Sequence, residues 1–295
     1  MEAAIMSYCL KNALPEGGQG LEAVLRLAGE EGFAVEVYGG IWQVEGDRRK
    51  AAEAVRKAAD AAGVPMPAYG SGTRLGLLHT EKRAASMAAL KEEVEVCKIL
   101  GGNVVTFPII DAQPIPPDRP GADQGLHFGR VLPALVEQAA ELADFAAGHG
   151  VDLAVLNHCF VCYLSWHQKW IAKLAGRPNL GACVDPGNYR HYGCEDPVSA
   201  CRTLQGYAKM ARAGDAVTLP EEETVAGFRK NGQLSFYRAT LFGEGEIDQA
   251  ACYRLLKQGG FDGVVSLKTA GPSDAGPLDA IRRSMANLKK LLTEI

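Results

Sequence analysis

The chain has 295 residues, 47% hydrophobic and 22% charged, the profile of an ordinary globular protein. A net charge of −4 and a pI near 5.9 exclude a generic nucleic-acid binder, because no basic stripe is available to neutralise phosphates. No apolar run approaches the length of a membrane span, so no membrane partner is expected either.

The first residues lack a basic segment followed by a long apolar one, so no signal peptide is indicated. Without export, the eight cysteines are expected to be reduced thiols in a cytoplasm. A first strand is predicted over 4–7, followed by Tyr8. A helical pattern over 20–31 leads to a strand over 34–38, which carries Glu36 near its end and Trp42 in the next loop. Helix 47–62, strand 67–69, helix 81–100 and strand 103–108 follow. The loop over 111–128 holds Pro114, Pro116, Pro117 and Pro120, and its length suits a lid or binding loop.

Helix 129–147 precedes strand 151–156, and a loop with His158, Cys159, Cys162, Trp166, His167 and Trp170 follows it. Strand 181–185, helix 197–213, strand 215–219, helix 247–258, strand 263–267 and helix 277–294 complete the chain. Pro277 suits the first turn of the last helix, where a missing N–H costs nothing. Short, uniformly apolar strands alternating with helices imply parallel βαβ units. About eight of them suit one closed (β/α)8 TIM barrel over 1–295, an α/β fold. An open doubly wound sheet is the alternative, weakened by the absence of a Gly-x-Gly-x-x-Gly turn after a strand. Arg48-Arg49-Lys50 and Lys289-Lys290 fall on predicted helix surfaces and read as solvated faces.

Several segments together resemble the xylose-isomerase-like barrels, which include sugar-phosphate isomerases and epimerases and endonuclease-IV-like proteins. Gly32-Phe33-Ala34-Val35-Glu36-Val37 resembles that family's second strand. Residues 81–102, ending Leu100-Gly101-Gly102, are similar to its third helix. Leu241-Phe242-Gly243-Glu244-Gly245-Glu246, with Gly260-Phe261-Asp262-Gly263, resembles the approach to its eighth strand. The resemblance implies Glu, Asp, His and Glu on strands five to eight around one divalent metal. Carried over residue by residue, Leu156 stands at the first Glu and Lys268 at the last. The acid survives as Asp185, Asn188 replaces the following His, and the expected strand-seven region, Val217 to Pro220, has no His.

Leu156 offers no donor and a protonated Lys268 repels a cation, so no metal and no other cofactor is expected. Lys268 is instead expected to pair with Asp185 across the barrel mouth, where the cation would sit. Lys268, Asp185 and His158 are the candidate catalytic residues, with Lys268 or His158 as base and Asp185 tuning Lys268. Each has a structural counterpart: an ion pair filling a vacated site, and a satisfied histidine. Glu36, Trp42, Trp166, Asn188 and Tyr8 are the candidate substrate contacts, the aromatic rings stacking on a sugar face or simply packing in the core. The half-motif Cys159-x-x-Cys162 with His158 and His167 invites a zinc reading, but no second pair follows, and small buried thiols are the default.

The resemblance implies a sugar or sugar-phosphate isomerase or epimerase acting on a small polyhydroxylated carbonyl compound. Proton shift, loss of water and cleavage share a first step, so the residues leave the reaction open. A non-catalytic sugar-binding pseudoenzyme is the second reading, since a fold does not establish activity. Endonuclease-like chemistry is disfavoured by the lost ligands and the acidic balance. A homo-oligomer stays open on general grounds.

Overall fold

The computed structural model describes residues 1–15, 20–42, 44–76, 80–109, 128–158, 161–190, 195–220, 229–230 and 235–295. Along the first half run β1 (Glu2–Met6), α1 (Ser7–Lys11), α2 (Leu21–Glu31), β2 (Ala34–Tyr38), α3 (Arg48–Ala61), β3 (Ala68–Gly70), α4 (Thr80–Leu100) and β4 (Val104–Phe107). Then come α5 (Phe128–Gly148), β5 (Asp152–Leu156), α6 (Ser165–Ala175), β6 (Leu180–Val184), α7 (Pro186–Asn188), α8 (Pro197–Thr203) and β7 (Ala208–Ala213). The chain ends with β8 (Asp215–Pro220), β9 (Arg229–Lys230), β10 (Ser235–Thr240), α9 (Gln249–Gln258), β11 (Val264–Leu267) and α10 (Pro277–Glu294).

Eight parallel strands close into a barrel in the order β1-β11-β7-β6-β5-β4-β3-β2. Outward residues such as Ile5, Val35, Val105, Val155 and Val265 pack with the helices into one large core. Inside, Ala4, Ala34, Ala68, Val104, Ala154, Cys183, Met210 and Val264 form a second buried cluster, closed with Leu156. Four alanines there keep the interior narrow enough for side chains to fill. Strand side chains alternate with period two, so the next inward residues are Glu36, Gly70, Thr106, Leu156, Arg212 and Ser266. The layer above holds Tyr38, Pro108, His158, Asp185 and Lys268, which form the C-terminal mouth.

Two expectations are corrected. The seventh barrel strand is Ala208–Ala213 and not 215–219. Its Ala-Lys-Met-Ala-Arg-Ala sequence has no β-branched residue and reads as a continuation of the preceding helix, which in fact stops at Thr203. Residues Asp215–Pro220 instead pair antiparallel with β10, which also pairs with β9, making a three-stranded arm beside the mouth. Trp166 and Trp170 lie on helix α6 and not in a loop. The proline-rich segment 111–127 and Cys159 lie outside the described residues.

Candidate active site at the barrel mouth

The end of β6 hands the chain to Asp185, which caps the short turn α7: its Oδ1 accepts from the Asn188 backbone N–H at 3.1 Å. Its Oδ2 accepts from Lys268 Nζ at 2.5 Å. The ammonium also donates to Asn188 Oδ1 at 2.7 Å. Asn188 Nδ2 donates to the Asn157 carbonyl at 3.0 Å, and Asn157 Nδ2 returns to the Asp185 carbonyl at 3.0 Å. The ends of β5, β6 and β11 are thus tied by one polar ring. Asp185 is fully buried, whereas the Lys268 side chain keeps 22% exposure to the mouth.

Both partners of Lys268 are acceptors, so its Nζ is engaged twice as a donor. His158 stands on the same wall, two residues beyond Leu156. Burial first, then the Lys268 charge, pushes its imidazole down to about 4, so it is neutral at neutral pH.

One layer below, Arg212 of β7 donates through Nη2 to Glu36 Oε1 and, at 2.9 Å, to Thr106 Oγ1. Glu36 is completely buried and Arg212 nearly so. A Cβ on Gly70 would lie 2.9 Å from Glu36 Oε1 and 3.0 Å from Arg212 Nη2, so the glycine makes room for the pair. Sequence reading missed Arg212; the signal was the period-two step from Met210 to Arg212 on a strand taken for helix.

The mouth encloses about 430 Å3, within the ~300–1,000 Å3 range of small-molecule sites. Tyr8, His158, Asp185, Asn188 and Lys268 line it, together with Arg74, Arg212 and Tyr237 of the arm. Asp215 ties that arm down. Its Oδ1 accepts from the N–H groups of Ala216 and Ile247, and its Oδ2 from those of Gly243 and Gly245.

The other predicted contacts lie elsewhere. Glu36 sits beneath the wall, engaged by Arg212. Trp42 is buried under the Arg48 guanidinium, 5.8 Å from its ring centre. Trp166 is 43% exposed on α6, edge-on to Phe128, and does not border the cavity. His167 Nδ1 accepts from the Leu164 N–H at 3.3 Å, a local helix-start bond. Among the described residues, no three His, Cys, Asp or Glu side chains come together as metal donors.

The sequence profile described as xylose isomerase-like TIM barrel matches residues 24–291. The chain belongs to that family. Among xylose isomerase-like barrels of known structure, one from Mycobacterium smegmatis in complex with magnesium superposes with a TM-score of 0.75 at 15% identity, covering 99% of this chain and 96% of that one. The E. coli 3-keto-D-glucoside 4-epimerase gives 0.72 at 15% identity over 98% and 99% of the two chains. A D-psicose 3-epimerase crystallised with D-fructose gives 0.71 at 16% identity over 99% of each. At such identities the likeness speaks for the shared xylose isomerase-like fold. No curated protein matches the sequence at a significant level.

Proposed function

We propose that the chain is a sugar isomerase- or epimerase-like enzyme for a small polyhydroxylated carbonyl compound, working without a divalent metal. The observation that carries this is Lys268, whose ammonium is fixed by Asp185 and Asn188 at the mouth of the cavity. The donor set does not fit a divalent cation. Leu156 has nothing to give, Lys268 adds a positive charge, and both Asp185 oxygens already accept hydrogen bonds.

In this reading Lys268 acts as an electrophile. Its ammonium binds the substrate carbonyl oxygen and stabilises the negative charge that develops there when the neighbouring carbon loses a proton. Neutral His158 accepts that proton and returns it to the former carbonyl carbon, while the neighbouring hydroxyl passes its proton to the old carbonyl oxygen and becomes the new carbonyl. Asp185 and Asn188 aim the ammonium, and Tyr8 borders the substrate.

A second reading, binding without turnover, has one observation in its favour: a histidine depressed to about 4 is a weak base. The two are separated by NMR of D-fructose in D2O with the purified chain. Deuterium uptake next to the carbonyl is expected, unaffected by a chelator, and at least 100-fold slower in Lys268→Met and in His158→Gln. Binding without exchange makes the protein a binder. Exchange that a chelator abolishes would return the metal to the site.

A further inference from the structure

Helix α6 leaves a row of large apolar side chains open to water. Trp166, Trp170 and Leu174 stand one turn apart and are 43%, 45% and 50% exposed. Taking ~250 Å2 for a whole tryptophan, the three leave roughly 300 Å2 of contiguous apolar surface outside the core. A patch of that size is often an interaction site, which a single exposed apolar residue is not.

The neighbouring surface of α5 is its counterpart. Asp144 reaches across to Arg177, just beyond α6, its Oδ1 accepting from Nε at 2.6 Å, so that side of α5 faces α6. One and two turns before Asp144 stand Ala140 and Val136, both half-buried. On the other side of that row Glu137 and Glu141 pair through Oε1 with Arg83 and Lys91 of α4, and they keep 67% and 48% exposure. Beyond the tryptophans, on the far side of α6, Lys169 and Lys173 lie over the Tyr207 and Trp170 rings and meet no carboxylate among the described residues. Across the two helices the face runs from an acidic edge, through an apolar centre, to a basic edge.

We propose that this α5–α6 face is the interface of a twofold dimer of the chain. An axis laid along the helices turns the acidic edge of one copy onto the basic edge of the other, so each α6 packs on the partner's α5. The tryptophans then press on the smaller side chains of the Val136 and Ala140 row, and Lys169 and Lys173 come opposite Glu137 and Glu141 of the partner subunit. An axis across the helices would set lysine against lysine. The pairs to Arg83 and Lys91 are exposed and hold little energy, so both carboxylates can take a second cation. A stable dimer covers ~800 Å2 per subunit, of which the α6 row alone supplies about 300, with tryptophans at the centre where interface energy concentrates. An anionic lipid surface, which tryptophans and lysines alone would suit, is repelled by the acidic edge.

The test is sedimentation velocity of the full chain at micromolar concentrations. A dimer is expected, and Trp170→Glu, at an exposed position, is expected to weaken it at least 100-fold. Leu174→Glu carries the test should that variant fail to fold. Lys173→Glu and Glu141→Lys are each expected to weaken association at least tenfold, and the two together to restore most of it. A chain that stays monomeric up to about 100 µM overturns the proposal. A dimer that Trp170→Glu and Leu174→Glu leave intact overturns it too, since the contact then lies on another face. Charge reversals that add to each other instead of cancelling overturn the packing of α6 on the partner's α5.

Discussion

In the fully buried position of Asp185, Lys268 and a backbone N–H supply the interactions that water would otherwise give. Removing the cation alone strands that carboxylate. Lys268→Met is expected to destabilise by somewhat less than the roughly 3–5 kcal/mol of a broken buried pair, since Lys268 retains partial exposure. Adding Asp185→Asn to it should recover much of the loss, and urea denaturation of the two single variants and the double variant gives the coupling. Additive single effects would mean that the two groups are held by the turn and not by each other. This pair was legible in the sequence because both residues end barrel strands at positions the family motif singles out. The Glu36–Arg212 pair was not: its members lie 176 positions apart, and a buried arginine in an Ala-rich stretch looks like the solvent face of a helix.

Among the elements, the antiparallel arm depends on one carboxylate. Asp215 stands where the chain leaves β7 for β8, and it satisfies N–H groups of the 243–247 turn that leads out of β10. Asp215→Ala leaves those donors unpaired, at a cost of roughly 1–3 kcal/mol each where water cannot reach them. Hydrogen exchange in residues 235–247 is expected to quicken at least tenfold, with the β4–β6 amides unchanged. Uniform acceleration over the whole barrel would show that the arm and barrel open together. The arm was hidden in the sequence because 215–219 has the apolar look of a barrel strand and follows a stretch that was read as helix. The remaining barrel strands were legible, since they are short, apolar and bounded by helices with clear starts, such as the Asp47 cap and Pro277, whereas β9 and β10 were not anticipated.

For the molecule as a whole, two histidines couple folding to pH. Burial lowers His158 and His167 to about 4, against about 6.5 for an exposed imidazole. The folded state therefore holds them neutral while the unfolded chain takes up protons. Their contribution is complete above pH 6.5 and is lost as the pH falls towards 4. Urea midpoints are expected to drop between pH 7.5 and 4.5, and His167→Gln to flatten part of that slope; an unchanged slope would assign the loss to carboxylates instead.

The ring that joins Asp185, Asn188 and Lys268 also constrains which substitutions the mouth accepts one at a time. Lys268→Glu alone sets a second carboxylate against buried Asp185 with no counter-ion, and Leu156→Glu alone adds an acid that the ammonium would capture. Each of these acids is penalised when introduced on its own. Placing donors for a divalent cation at both strand ends is therefore a two-mutation problem.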